Sequence, residues 1–127
     1  MSEKRQEADW PTFAFERLDA WQVAMSFADE VYRVTRKFPN SEQFGLVSQM
    51  RRAAVSVGAN IAEGNARTGP RDEIRFLEIS YSSLMEVISH SVIAHRQGFP
   101  SDSDCCVLRQ TAFRCCQLIS GLRRSKT

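Results

Sequence analysis

Residues 46–67, LVSQMRRAAVSVGANIAEGNAR, admit little other than a helix with two differently employed faces. Leu46, Met50, Ala54, Val57 and Ile61 recur at steps of four, four, three and four, the period that gathers side chains on one side of an α-helix. That stripe predicts a core face. Gln49, Ser56, Asn60 and Glu63 fall on a second stripe about a third of a turn away, at roughly 100° per residue. A polar stripe beside a core must be hydrated or hydrogen-bonded to another chain. Arg51 and Arg52 lie near one end of the segment, and Arg67 follows the Glu63-Gly64 stop.

The same rhythm extends through most of the chain. Leu18, Trp21, Met25, Ala28, Tyr32 and Thr35 form one stripe of a first helix beginning near Arg17; Ala24, Phe27, Val31, Val34 and Phe38 form another a quarter turn away. Pro39 ends that helix and Asn40-Ser41 can cap the next. Gly58 inside the second helix costs on the order of 1 kcal/mol relative to Ala, which a close backbone approach there would explain. Thr68-Gly69-Pro70 breaks the chain, with Pro70 suited to a first helical turn. Ile74, Leu77, Tyr81, Leu84 and Ile88 carry a third helix to a Gly98-Phe99-Pro100 stop. Ser101-x-x-Asp104 resembles a capping box for a fourth. No segment alternates with period two over a strand's length. The expected fold is all-α, an antiparallel up-down four-helix bundle over residues 13–124, with tails at 1–12 and 125–127 and Trp10 and Phe13 pinning the first tail.

A chain of 127 residues fits one domain. The formal net charge of +2 is too small to imply a polyanion partner by itself. Its cations are nonetheless nearly all Arg, with only Lys4, Lys37 and Lys126 as Lys, and Arg suits bidentate phosphate or carboxylate contacts. No run approaches the roughly 20 apolar residues of a membrane span. The charged MSEKRQEADWPTF start lacks the apolar centre of a secretory signal, so a cytoplasmic location without membrane contact is the expectation.

Four cysteines form two adjacent pairs, Cys105-Cys106 and Cys115-Cys116. Cys105, Leu108, Ala112, Cys115, Ile119 and Leu122 alternate three and four apart, so Cys105 and Cys115 read as small hydrophobes on a helical seam. On a continuous helix the pairs lie about 15 Å apart, too far to share a metal ion. Signatures of phosphate-binding loops, dinucleotide sites and nucleophile elbows are missing. A di-metal bundle needs bridging carboxylates with two Glu-x-x-His pairs, against which Glu86 and His90 supply one weak pair at i, i+4. The expectation is a non-enzymatic protein with no metal and no cofactor.

Two polar groupings stand out instead. Ser80, Ser83 and Glu86 form a line on the third helix that could meet Gln49, Ser56, Asn60 and Glu63 as a structural hydrogen-bond network setting helix register; both lines facing solvent is the alternative. Arg51, Arg52, Arg67, Arg71 and Arg75, supplemented by the basic tail Arg123, Arg124 and Lys126, are candidate phosphate contacts. Glu63, Asp72, Glu73 and Glu78 interrupt them, as in a solvated salt-bridge face.

The strings Phe15-Glu16-Arg17-Leu18 with Trp21-Gln22, Gln49-x-x-Arg52-Ala53-Ala54-x-Ser56-x-x-x-Asn60-Ile61-Ala62-Glu63-Gly64, Arg75-Phe76-Leu77 and Ser83-Leu84-x-Glu86 resemble the bacterial four-helix bundle family named for reading frames in intervening sequences of 23S ribosomal RNA genes. Ser82 departs from the pattern, which usually has Gly there. The resemblance implies a small cytosolic bundle without known catalytic activity. It also implies pentameric rings and a distant kinship to a basic accessory protein that binds reverse transcriptase and RNA.

These readings converge on an oligomeric, RNA-associated bundle, with a protein-interaction scaffold or accessory subunit as the alternative. A single four-helix core is not expected to bury Trp21, Met25 and Tyr32 together with Phe27, Val31, Val34 and Phe38. The latter four residues are therefore the expected interface of a homo-oligomer, a closed pentamer by resemblance.

Overall fold

A computed structural model describes residues 9–127, and all its regular elements there are helical. A short 3₁₀ turn, Ala14–Arg17, precedes α1, Asp19–Thr35. A 3₁₀ turn, Asn40–Glu42, and a π-helical turn, Gln43–Val47, then lead into α2, Ser48–Asn65. Helices α3, Pro70–Arg96, and α4, Asp102–Arg124, complete a four-helix bundle. The second helical segment is thus not uniform. Gly45 has φ −109° and ψ −110°, and the Glu42 carboxylate accepts a 3.3 Å hydrogen bond from the Leu46 N–H.

The helix ends follow local chemistry. Pro70 lies in the first turn of α3, where its missing N–H costs no helical bond. Gly98, at φ 80°, ends α3: its N–H reaches the His95 carbonyl and the Phe99 N–H reaches the Ala94 carbonyl. Phe99 then packs on Phe38, ring centres 5.6 Å apart. Ser101 Oγ caps α4 by accepting from the Asp104 N–H at 3.0 Å. The Asp104 carboxylate, expected to complete a box there, turns instead to Arg33 of α1 and Lys37 in the turn just beyond it.

Side-chain contacts set the arrangement of the helices. Arg51 meets Thr35, Ser80 meets Val57, Arg123 meets Glu78 and Thr111 meets Glu30. The core between them is built from Phe27, Val31 and Val34 of α1, Met50, Val57 and Ile61 of α2, Leu77, Leu84 and Val87 of α3, and Leu108, Cys115 and Ile119 of α4. Tyr81, expected on the core stripe of α3, is 39% exposed, while Phe76, Ser80 and Val87 are buried.

The expected interface on α1 is overturned. Phe27, Val31 and Val34 are fully buried and Phe38 is 6% exposed within the single chain, leaving nothing for a second copy to cover. The first α1 stripe stays partly outside the core: Trp21 and Met25 lie half-buried against Gly58, where a Cβ would meet the flexible Met25 Cε and approach Trp21 Nε1 at 3.6 Å, and Tyr32 is 36% exposed. Side chains, not the expected backbone, make the close approach. At the N-terminal side, residues 1–8 of the expected tail lie outside the described residues. Trp10 and Phe13 are each 65% exposed and pin little; Phe15 does so, edge-on to Trp21 at 5.2 Å.

Candidate functional site: a polar cleft flanked by separated arginines

Two α2 residues and one α3 residue form the floor of an open cleft. Ser56 and Ser83 hydroxyls lie 2.9 Å apart, and Asn60 Nδ2 donates to Ser56 Oγ at 2.9 Å and to the Ser56 carbonyl at 2.8 Å. Below this level Ser80, fully buried, donates to the Val57 carbonyl at 2.7 Å. The packing that puts Ser56 beside Ser83 also brings Gln49, Arg52 and Glu86 to the cleft rim. With Ala53, these residues line an open volume of about 350 Å³. The structure therefore joins Gln49, Ser56, Ser83 and Glu86 in one cleft, with Asn60 hydrogen-bonded into its floor. Glu63 is exposed and lies on the neighbouring depression, outside the network.

Glu86 stays half exposed, 3.4 Å from His90 Nε2. That nitrogen is buried and makes no hydrogen bond with the carboxylate. Among the described residues no three His, Cys, Asp or Glu side chains group as a metal site. The four thiols are free, and burial pushes Cys115 up to about 12, where it is inert as a nucleophile at neutral pH.

The five candidate arginines do not form one patch. Arg51 and Arg52 are about 20 Å along α2 from its end at Asn65, beyond which Arg67 lies, at 1.5 Å per residue. Arg51 is internally engaged: Nε donates to Thr35 Oγ1 at 2.9 Å and the guanidinium lies 4.5 Å over the Tyr32 ring. Arg52 is exposed and, among the described residues, has no ion-pair partner.

The other end gathers Arg67, Arg71 and Arg75. Arg67 and Arg75 both lie over Phe76, 4.6 and 4.8 Å from its centre, and Arg75 is 3.9 Å from Asp72. Helix packing brings the basic C-terminus to the same place, where Arg123 pairs with Glu78 at 2.7 Å and Lys126 with Glu73 at 3.3 Å. Arg71 is exposed without an ion-pair partner among the described residues.

Phe44 escaped the sequence reading because one aromatic in a non-periodic connection carries no burial signal. It is 95% exposed on the π-helical turn and lines a depression with Tyr32, Arg51, Arg52 and Val55. That depression adjoins the polar cleft through Arg52 and Ser56, which line both.

The fold and site define a four-helix bundle protein whose distinguishing surface is a polar cleft between α2 and α3. All six residues lining the cleft belong to two of the four strings that carried the resemblance in sequence, those beginning at Gln49 and at Ser83. The chain belongs to the family described as 23S rRNA-intervening sequence protein, which matches residues 16–121. Among solved structures, it is similar to a protein of unknown function from the S23 ribosomal protein family of Bacteroides thetaiotaomicron. The TM-score is 0.73 at 18% identity, covering 82% of this chain and 97% of that one, a likeness of fold. No curated protein matches. No helix among the described residues is long and apolar enough to cross a membrane.

Proposed function

We propose that this protein is a non-enzymatic, cytoplasmic homo-oligomer of antiparallel up-down bundles that associates with RNA through the arginines at the start of α3. The carrying observation is the pair of guanidiniums over Phe76, 4.6 and 4.8 Å from its centre, beside the unpaired Arg71. A buried ring that holds two exposed cations lowers the ordering cost of placing them against successive phosphates. Arg123 and Arg124 extend the same basic end, and Arg52 adds a separate contact. Arg51 is set aside because Tyr32 and Thr35 already occupy it.

Oligomerisation is supported by apolar surface other than the α1 stripe: Tyr81, Met85 and Val92, at steps of four and seven on one face of α3, are 39%, 41% and 39% exposed. Such exposure marks contact surfaces when it clusters. The family resemblance supports five copies. A ring would repeat the basic end and raise the local positive potential beyond that of a +2 subunit.

Titration of structured RNA at two salt concentrations tests the RNA reading. Affinity should fall steeply with salt, and Arg67→Ala with Arg71→Ala should flatten the dependence by about two phosphate contacts. No binding at low salt removes it. The protein-scaffold reading draws on exposed Phe44, and a partner retained after nuclease treatment but lost with Phe44→Ala would favour it.

A further inference from the structure

We propose that the cleft between α2 and α3 holds an unpaired guanine base; this rests on the RNA reading above and gives it a base preference. The cleft volume of about 350 Å³ lies within the range of roughly 300–1,000 Å³ that suits small-ligand sites. Its rim carries one carboxylate, Glu86, one unpaired guanidinium, Arg52, and one carboxamide, Gln49, over the Ser56–Ser83 hydroxyl floor. These groups are not consumed by the bundle. Arg52 has no ion-pair partner among the described residues, and Glu86 only approaches His90, at 3.4 Å and without a hydrogen bond.

The carboxylate selects among bases. Guanine presents two adjacent N–H donors on its Watson–Crick edge, N1–H and the N2 amino group, which match the two oxygens of a carboxylate. Adenine, cytosine and uracil each place an acceptor beside the donor on that edge, and an acceptor facing Glu86 is repelled. The Watson–Crick edge is open only in unpaired nucleotides, so loops and single strands are the ligand class. Arg52 stands on the boundary between cleft and depression, where it can neutralise the phosphate of the bound nucleotide. The depression presents the exposed Phe44 ring as a stacking surface for the neighbouring base. An aromatic ring in water and two separate side-chain charges of opposite sign are thus accounted for by one strand crossing Arg52.

The experiment compares two short unstructured RNAs on the full chain: a uridine-rich strand carrying guanosines, and the same strand with inosine at each guanosine. Inosine keeps N1–H and lacks only the N2 amino group. The guanosine strand is expected to bind about tenfold tighter, the scale of one good bidentate base contact. Glu86→Gln should bring the guanosine strand down to the inosine affinity. Equal affinity of the unsubstituted protein for both strands, with salt-dependent binding intact, overturns the cleft assignment and leaves the phosphate reading standing. A guanosine preference that survives Glu86→Gln also overturns it. No binding of either strand at low salt overturns both readings. A shift in assembly mass on Glu86→Gln without any guanosine preference assigns the cleft to a second copy and likewise overturns the proposal.

Discussion

The Ser83 hydroxyl on α3 lies 2.9 Å from the Ser56 hydroxyl on α2, the one side-chain hydrogen bond among the described residues that links these helices hydroxyl to hydroxyl. A bond of this kind contributes about 0.5–1.5 kcal/mol net. Ser56→Ala and Ser83→Ala should each destabilise by about that amount in urea unfolding, and the double variant should cost less than their sum. Full additivity would show that water satisfies each hydroxyl separately.

Asp104 anchors α4 to α1 and the turn just beyond it, with Lys37 Nζ at 3.0 Å and Arg33 Nη1 at 3.2 Å. Burial alone would raise its pKa, but hydrogen bonds from Lys37, Arg33 and Ser101 outweigh this and hold it below the ordinary carboxylate value. The unfolded chain therefore takes up this proton first on acidification. The contribution is present above about pH 4, the unfolded value, and is lost as pH falls through the lower folded value. Asp104→Asn should lower stability at neutral pH by about 1–3 kcal/mol and leave a shallower acid decline in denaturant midpoint.

Phe27 and Phe44 should separate stability from surface chemistry. Phe27→Ala empties a fully buried site and should cost about 3–5 kcal/mol. Phe44→Ala should change stability by no more than about 0.5 kcal/mol, because the ring is 95% exposed. Phe27→Glu combined with Val34→Glu should abolish the circular-dichroism melting transition; a folded monomer from that variant would restore the α1 stripe as an interface.

Two glycines of α2 predict opposite tolerances. At Gly58 an added methyl group meets the flexible end of Met25, which can swing away, and the helix gains about 1 kcal/mol of propensity. Gly58→Ala should be close to neutral in thermal melts. At Gly64 the added group would lie 3.0 Å from Phe76 Cβ and 3.3 Å from the Glu73 carbonyl, neither able to move without shifting α3. Gly64→Ala should destabilise by about 1–3 kcal/mol.

Cys115 and Cys106 should react at very different rates with a thiol reagent. Cys106 is exposed, whereas burial and then the neighbouring Cys116 push Cys115 up to about 12 from 9.0. Labelling followed by mass mapping should find Cys106 early and Cys115 only in denaturant. Because the folded pKa is raised, the Cys115 contribution is complete below the unfolded value near 9 and is lost as pH rises towards 12.

The sequence by itself determined the helices and where most of them stop. Steps of three and four placed Met50, Val57 and Ile61 on one face before any neighbour was known, Ser101 marked a cap and Gly98 a stop. Each follows from bonds and angles within a few residues, so it is legible locally. The strings around Gln49, Ser56, Asn60 and Glu86 also marked the cleft residues, although nothing local showed that Ser56 would meet Ser83.

Only the tertiary structure decided which α1 stripe goes inside, that Arg51 is used up on Tyr32 and Thr35, that Asp104 reaches Arg33 and Lys37, and that Arg67 shares an end with Arg123. Periodicity records the angle of a residue about its own helix axis. It does not record the rotation of the neighbouring helix or the gap left by a glycine on it. Gly58 and Met25 show the consequence, since a cost assigned to one helix and a surplus assigned to another turn out to be the two sides of a single contact.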